Sequence, residues 1–258
     1  MYRGVPYRVH DWSAIDSSIK QVAASNPDAR RVFLADGDVL ALPTPLLEMI
    51  LDQMRLAFPH LSRVNCYASG QALAEKSDRE LGSLRAKGLH TLYLGLESGC
   101  AEVLRRMGKG AGPAEAVAGS LRASSAGLSM SVMVLVGIGG QELSAEHVFR
   151  TAQALNAMQP ALLSCLRLVP IPGTVLAKRI AQGRFVQLTE EESMRELREI
   201  VSGLDLARTV FRADHSSNIL PLAGRLPRDK ARLLAEMDEL LECGVLATDS
   251  PGPMPAVL

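Results

Sequence analysis

Five short apolar runs rich in Val, Leu and Tyr lie at residues 31–36, 63–67, 91–97, 130–136 and 162–169. Each leads into a stretch whose apolar residues recur at helical spacing, so the pattern predicts a series of strand-then-helix units. Helices are expected over 12–25, 46–58, 71–87, 114–125 and 142–158, with a short one after Gly99. Asn26-Pro27 stops the first, because proline disfavours helical geometry in the residue before it. Pro45 opens the second where no helical N–H is lost. Gly88 closes the third as a left-handed cap. Two more helices, around 190–207 and 227–243, make a C-terminal addition, and 250–258, with three prolines, reads as a loose tail. The organisation expected is a βα core over 1–183, a helical extension over 184–249 and the tail. The helix at 12–25 has no strand before it. A parallel sheet needs its faces and edges covered, so a first strand and its loop are expected upstream of Met1, and an uncovered edge would favour self-association.

Regular βα alternation leaves two architectures, an open doubly wound sheet or a full or partial barrel. Both bind ligands at the carboxyl ends of strands, which turns the strand-end residues into the candidate site. Asp36 and Asp38 straddle Gly37, so a tight bend can aim two carboxylates at a cavity or at a ligand ammonium group; the alternative is a turn in which both accept from nearby N–H groups. Glu97, before Ser98-Gly99, is placed to accept from vicinal hydroxyls such as those of ribose, or simply to start a helix. Gly137-Ile138-Gly139-Gly140 permits close backbone approach to a flat or anionic ligand, yet it does not fit the dinucleotide fingerprint. Lys109, in Met107-Gly108-Lys109-Gly110, is either a cation on a mobile loop or an exposed lysine.

Composition narrows the class without changing this picture. At 258 residues with 47% apolar and 22% charged residues, the chain is long enough for one sizeable α/β core. Its 28 basic residues balance 28 acidic ones, so no general field favours nucleic acid or an anionic membrane. No apolar run approaches the roughly 18 residues that span a bilayer, and a cytoplasmic protein is expected. The four cysteines, Cys66, Cys100, Cys165 and Cys243, fall one to a segment, at no spacing that lets neighbours share a metal. Cys66 and Cys165 sit inside apolar runs and read as small buried hydrophobes.

Taken together, the strand ends resemble the radical S-adenosylmethionine enzymes, especially the branch whose core is shared by methylthiotransferases and coproporphyrinogen oxidase-like proteins. Leu34-Ala35-Asp36-Gly37-Asp38 is similar to the turn that receives the cofactor's methionyl ammonium. Thr91 to Gly99, with Val103-Leu104 and Met107 to Gly110, is the most specific match and resembles the ribose-binding segment. Val136 to Glu142 resembles the glycine motif beside adenine, and Leu168 to Thr174, with Pro170, stands where the adenine pocket would be completed. The resemblance implies a partial (β/α)6 TIM-like barrel lacking its first strand. It also implies S-adenosylmethionine as cofactor, held by Asp36, Gly37, Asp38, Glu97, Ser98, Gly137, Ile138, Gly139, Gly140 and Pro170.

The family's cysteine loop, whose thiolates hold a 4Fe-4S cluster, has no counterpart in the chain, and Met1-Tyr2-Arg3-Gly4 resembles the segment just past it. The resemblance therefore implies a chain that starts after the cluster loop. Its intact parent would cleave S-adenosylmethionine reductively, with an external electron donor, to a 5'-deoxyadenosyl radical acting on an unidentified substrate. The alternatives are a cluster-free remnant that binds a nucleoside-like ligand or a partner without catalysis, and an ordinary βα-barrel enzyme. His215 and Asn218 either line the substrate end or belong to a polar turn.

Overall fold

The computed structural model describes residues 8–110 and 112–253. Met1 to Gly4, Ala111 and the tail from Met254 onward lie outside the described residues. Among the described residues seven strands, mostly parallel, alternate with helices, the α/β class that the strand-then-helix pattern predicts. The chain forms two compact units, one comprising the described residues through Leu94 with Ala118–Met130, the other Gly95–Val117 with Ser131 onward.

In the first unit, helix α1 (Trp12–Ser25) starts where Asp11 accepts the Ala14 N–H at 2.8 Å, and it packs on α2 (Thr44–Ala57). Strands β1 (Arg31–Leu34), β2 (Arg63–Ala68) and β3 (Leu89–Glu97) run parallel, in register from Arg31↔Arg63 to Leu34↔Cys66 and from Asn65↔Thr91 to Ala68↔Leu94. The two-residue period of the strands separates their faces. Val64, Cys66, Ala68, Leu92 and Leu94 are buried, each large aliphatic side chain contributing on the order of 1.5–3 kcal/mol. The opposite face carries Phe33, Tyr67 and Tyr93, whose rings meet edge to face at centroid distances of 4.8 to 6.5 Å.

The stretch expected as one helix over 71–87 is two, α3 (Gly70–Glu75) and α4 (Asp78–Ala86). Ser77 breaks it by accepting the Glu80 N–H at 3.3 Å, while the Glu80 carboxylate accepts the Ser77 N–H at 2.9 Å, a reciprocal capping box. The hydroxyls of Thr44 and Ser77 and that N–H hold the Glu80 carboxyl down at about 2. Carbonyls left open at the end of α3 are taken up by the Arg122 guanidinium, which donates to Leu73, Ala74 and Lys76.

The second unit contains α5 (Ala101–Arg106), most of β4 (Ser129–Val136), α7 (Gly140–Met158), β5 (Leu162–Arg167), α8 (Val175–Ala181), α9 (Glu190–Gly203), β6 (Thr209–Ala213), β7 (Leu222–Leu226) and α10 (Lys230–Glu242); the chain passes between the units within β3, α6 (Pro113–Ser125) and β4. Strands β4, β5 and β6 are parallel, and β7 pairs antiparallel with β6 from Thr209↔Leu226 to Ala213↔Leu222. The helical extension expected over 184–249 therefore contains a strand pair between its two helices. Both strands are only five residues long and interrupted by Arg or Gly, so cross-strand pairing stabilises them where local propensity does not. Among the described residues no helix is long and apolar enough to cross a membrane.

Candidate functional site

In the first unit, the Asp36-Gly37-Asp38 bend follows β1 with two consecutive left-handed residues, Asp36 at φ 64° and Gly37 at φ 67°. The Asp38 carboxylate accepts the Ser69 N–H at 3.2 Å, and the Ser69 hydroxyl in turn caps α3 by accepting from Ala72 at 3.0 Å. Asp38 is thus held by the next strand end, while Asp36 is exposed. The buried Cys66 thiol nearby is pushed up to about 12 by burial, with the Asp38 charge adding to it.

In the second unit, β3 ends in a turn of unusual backbone geometry. Ser98 donates its N–H to the Leu96 carbonyl at 2.7 Å, closing a three-residue γ-turn around Glu97, whose φ is 59°. One oxygen of the Glu97 carboxylate accepts from Lys109 Nζ at 2.7 Å; the other is buried with no hydrogen-bond partner. Ser98 points inward and is fully buried: its hydroxyl accepts the Cys100 N–H at 3.0 Å and bonds His147 Nδ1 at 2.8 Å. Gly99 follows with its N–H on Thr151 Oγ1 at 2.9 Å and its Cα against α7, where a Cβ would lie 2.2 Å from the Arg150 carbonyl oxygen.

After β4, Gly137 donates its N–H to Glu196 on α9, whose second carboxylate oxygen accepts the Ser144 hydroxyl. Ile138, Gly139 and Gly140 face a cavity of about 880 Å³ that also receives Arg106, Arg179 and Phe185. Gly140, at φ 59°, lies where a Cβ would meet the Val186 carbonyl at 2.7 Å, so only glycine lets the chain turn there into α7. Pro170 opens onto a different cavity, of about 260 Å³, with Arg167 and Pro251. Burial of Glu196 raises its carboxyl to about 7, and burial of His147 lowers its imidazole to about 4. The two stand 3.6 Å apart with fully buried side chains, and His147 Nε2 has no hydrogen-bond partner.

The structure thus joins Asp38 to Ser69 in one unit, and in the other Glu97 to Lys109, Ser98 to His147 and Gly137 to Glu196, the last two pairs meeting where His147 approaches Glu196 at 3.6 Å. Pro170 stands apart from Ile138–Gly140 in its cavity. His215 and Asn218 form the polar turn: His215 bonds Ser217 at 2.8 Å and Asn218 donates to the Cys165 carbonyl at 2.8 Å. His147 and Glu196 were missed in the sequence. The available signal was a titratable residue within an apolar stripe, Glu196 between Met194 and Leu197, and His147 in line with Thr151 and Leu155. Among the described residues no three His, Cys, Asp or Glu side chains group as metal ligands. Cys66, Cys100 and Cys165 are buried apart and Cys243 is exposed, so this cysteine set does not fit an iron–sulfur cluster.

Residues 2–152 match the family model described as Radical SAM superfamily. The heme chaperone HemW of Escherichia coli (strain K12) is 27% identical over 157 residues, which cover 60% of this chain and 41% of HemW; the chain therefore spans about two-fifths of that relative's length. Among solved structures, coproporphyrinogen III oxidase (HemN) from Escherichia coli, a radical SAM enzyme, superposes with a TM-score of 0.59 at 17% identity, over 74% of this chain and 44% of that one. The archaeal Methanocaldococcus infernus Elp3 with an N-terminal deletion superposes with a TM-score of 0.58 at 15% identity, over 93% of this chain and 60% of that one. At these identities the likeness is one of fold.

Proposed function

The chain belongs to the Radical SAM superfamily, and from that premise we propose that it binds S-adenosylmethionine through its strand ends. The observation that carries the reading is the Glu97 carboxylate, aimed by a left-handed turn and left with one buried oxygen unpartnered. A buried acceptor without a donor is costly, and a ribose hydroxyl is a donor of the right kind. Lys109 keeps the other oxygen engaged and the carboxylate oriented. Gly137 to Gly140, in the same unit as Glu97, would give backbone access on the adenine side.

When bound, S-adenosylmethionine supplies the sulfonium carbon–sulfur bond whose reductive cleavage yields a 5'-deoxyadenosyl radical. We propose that cleavage as the reaction this core serves. The cysteines described above do not suit its 4Fe-4S cluster, and no step through the cluster is assigned to this chain's residues. A second reading is binding of the nucleoside without cleavage.

Equilibrium dialysis with labelled S-adenosylmethionine, followed by assay for 5'-deoxyadenosine after anaerobic addition of iron, sulfide and dithionite, separates the readings. Binding with 5'-deoxyadenosine supports cleavage, and binding without it supports the second reading. Glu97→Ala should weaken binding about 10- to 100-fold, the worth of charge-assisted hydrogen bonds to a buried carboxylate. Unchanged affinity in that variant would refute the ribose assignment.

A further inference from the structure

We propose that Ser98, His147 and Glu196 form a buried brace that positions the Glu97 carboxylate, with His147 as the positioning residue that joins the turn after β3 to the turn after β4. The inference rests on Glu97 being the ribose-binding carboxylate.

A γ-turn with positive φ at a glutamate is strained, and such geometry persists only where its surroundings over-determine it. Three contacts do so here. Ser98 Oγ bonds His147 Nδ1 at 2.8 Å, the Gly99 N–H bonds Thr151 Oγ1 at 2.9 Å, and Gly99 abuts the Arg150 carbonyl so closely that no Cβ fits. All three partners lie on one helix, α7, within about one turn: His147 and Thr151 are four residues apart on one face, and Arg150 contributes its backbone carbonyl. The turn that aims Glu97 is therefore clamped on its inward side, while Lys109 engages one oxygen of the carboxylate.

The brace does not end at His147. Its Nε2 faces Glu196 Oε1 at 3.6 Å, and Glu196 holds the Gly137 N–H and the Ser144 hydroxyl. Hydrogen bonds thus run from the turn of the ribose carboxylate to His147, and from Glu196 to the glycine turn on the adenine side, while the two fully buried side chains meet at 3.6 Å without a hydrogen bond between them. Apolar residues of similar volume would pack this region without the desolvation penalty of a carboxylate and an imidazole. What the polar groups add is direction: a hydrogen bond fixes the orientation of a turn, which a methyl contact does not.

The test reads discrimination between a ribose and its 2'-deoxy counterpart, which general loss of stability does not alter. Affinities for 5'-methylthioadenosine and 2'-deoxy-5'-methylthioadenosine are measured by titration calorimetry in the wild type, Ser98→Ala, His147→Phe and Leu155→Ala. Leu155 is a fully buried apolar residue on the same helix and lies outside the brace. The wild type should prefer the ribose by about tenfold, the worth of one charge-assisted hydrogen bond. Ser98→Ala and His147→Phe should bring the ratio close to one, while Leu155→Ala should lower the melting temperature and keep it. Should His147→Phe fail to fold, the smaller Ser98→Ala deletion decides alone. Variants that discriminate as well as the wild type would overturn the brace while leaving Glu97 as the ribose ligand. A wild type that binds both probes without discrimination would overturn the ribose reading, and the brace with it.

Discussion

Glu196→Gln should stabilise the protein above neutral pH, which inverts the usual result of cutting into a buried polar network. The carboxyl is raised from its ordinary 4.5 to about 7, first by burial and further by the neighbouring Glu199 charge, against the opposing pull of the Ser144 hydroxyl and the Gly137 N–H. Such a group holds a proton in the folded state that the unfolded chain has already released. Its contribution is whole below about 4.5 and is lost as pH climbs through about 7. The separation corresponds to roughly 3 kcal/mol, at about 1.4 kcal/mol per unit. Glutamine has the shape of the neutral acid: its carbonyl can accept the Gly137 N–H and its amide can donate to Ser144. The variant should therefore match the wild type within about 1 kcal/mol near pH 5 and exceed it by about 2–3 kcal/mol near pH 9. His147 titrates in the opposite sense. Burial holds it at about 4, so it withdraws stability as pH falls from 6.5 toward that value. It does so in both proteins and drops out of the difference. Urea unfolding of the pair from about pH 5 to about pH 9 measures that difference directly. A difference that stays flat with pH, or a variant weaker than wild type at the alkaline end, would mean that Glu196 is ionised in the fold and would refute the reasoning.

Gly99→Ala should cost about 3 kcal/mol or more, because its methyl would overlap the Arg150 carbonyl at 2.2 Å; a urea midpoint close to wild type would show that α7 can retreat. Ser77→Ala removes one half of the capping box that separates α3 from α4 and should cost about 1 kcal/mol in thermal unfolding. A neutral result there would mean that tertiary packing alone starts α4. Of the four cysteines, Cys243 should react first with a thiol reagent at mildly alkaline pH. Cys66 and Cys165, buried and each pushed up to about 12, should stay silent until unfolding. Early modification of either would contradict their burial.

The elements legible in the sequence were those whose local and tertiary preferences agree. The helix at 12–25 has an aspartate cap before it and Asn-Pro after it, and it forms with those bounds. The five apolar runs each form a strand because a parallel strand buried on one or both faces needs a nearly continuous apolar segment. Where one short signal overrides a longer pattern the reading failed, as at Ser77-Asp78-Arg79-Glu80, a capping box inside an otherwise continuous helical run. Where pairing alone supplies stability, as in β6 and β7, there was little local signal to find.

The candidate site divides along the same line. Residues proposed to act through the backbone or from strand ends, such as Asp38, Glu97 and Gly140, declare themselves by position, because a βα unit places ligand groups where the strand stops. Residues that hold those groups from behind do not. His147 and Glu196 are 49 residues apart in sequence and on different helices, and neither neighbours a glycine or a strand end. Only folding brings α7 against α9 and sets the imidazole 3.6 Å from the carboxylate. Their one mark in the sequence is a cost, a titratable group on a face that is otherwise apolar. In the proposed brace that cost goes with an ordered element, the strained turn at Glu97. The order also runs the other way. Without the brace the turn would relax toward ordinary φ values, and Glu97 would lose the fixed direction that the proposed ribose contact needs.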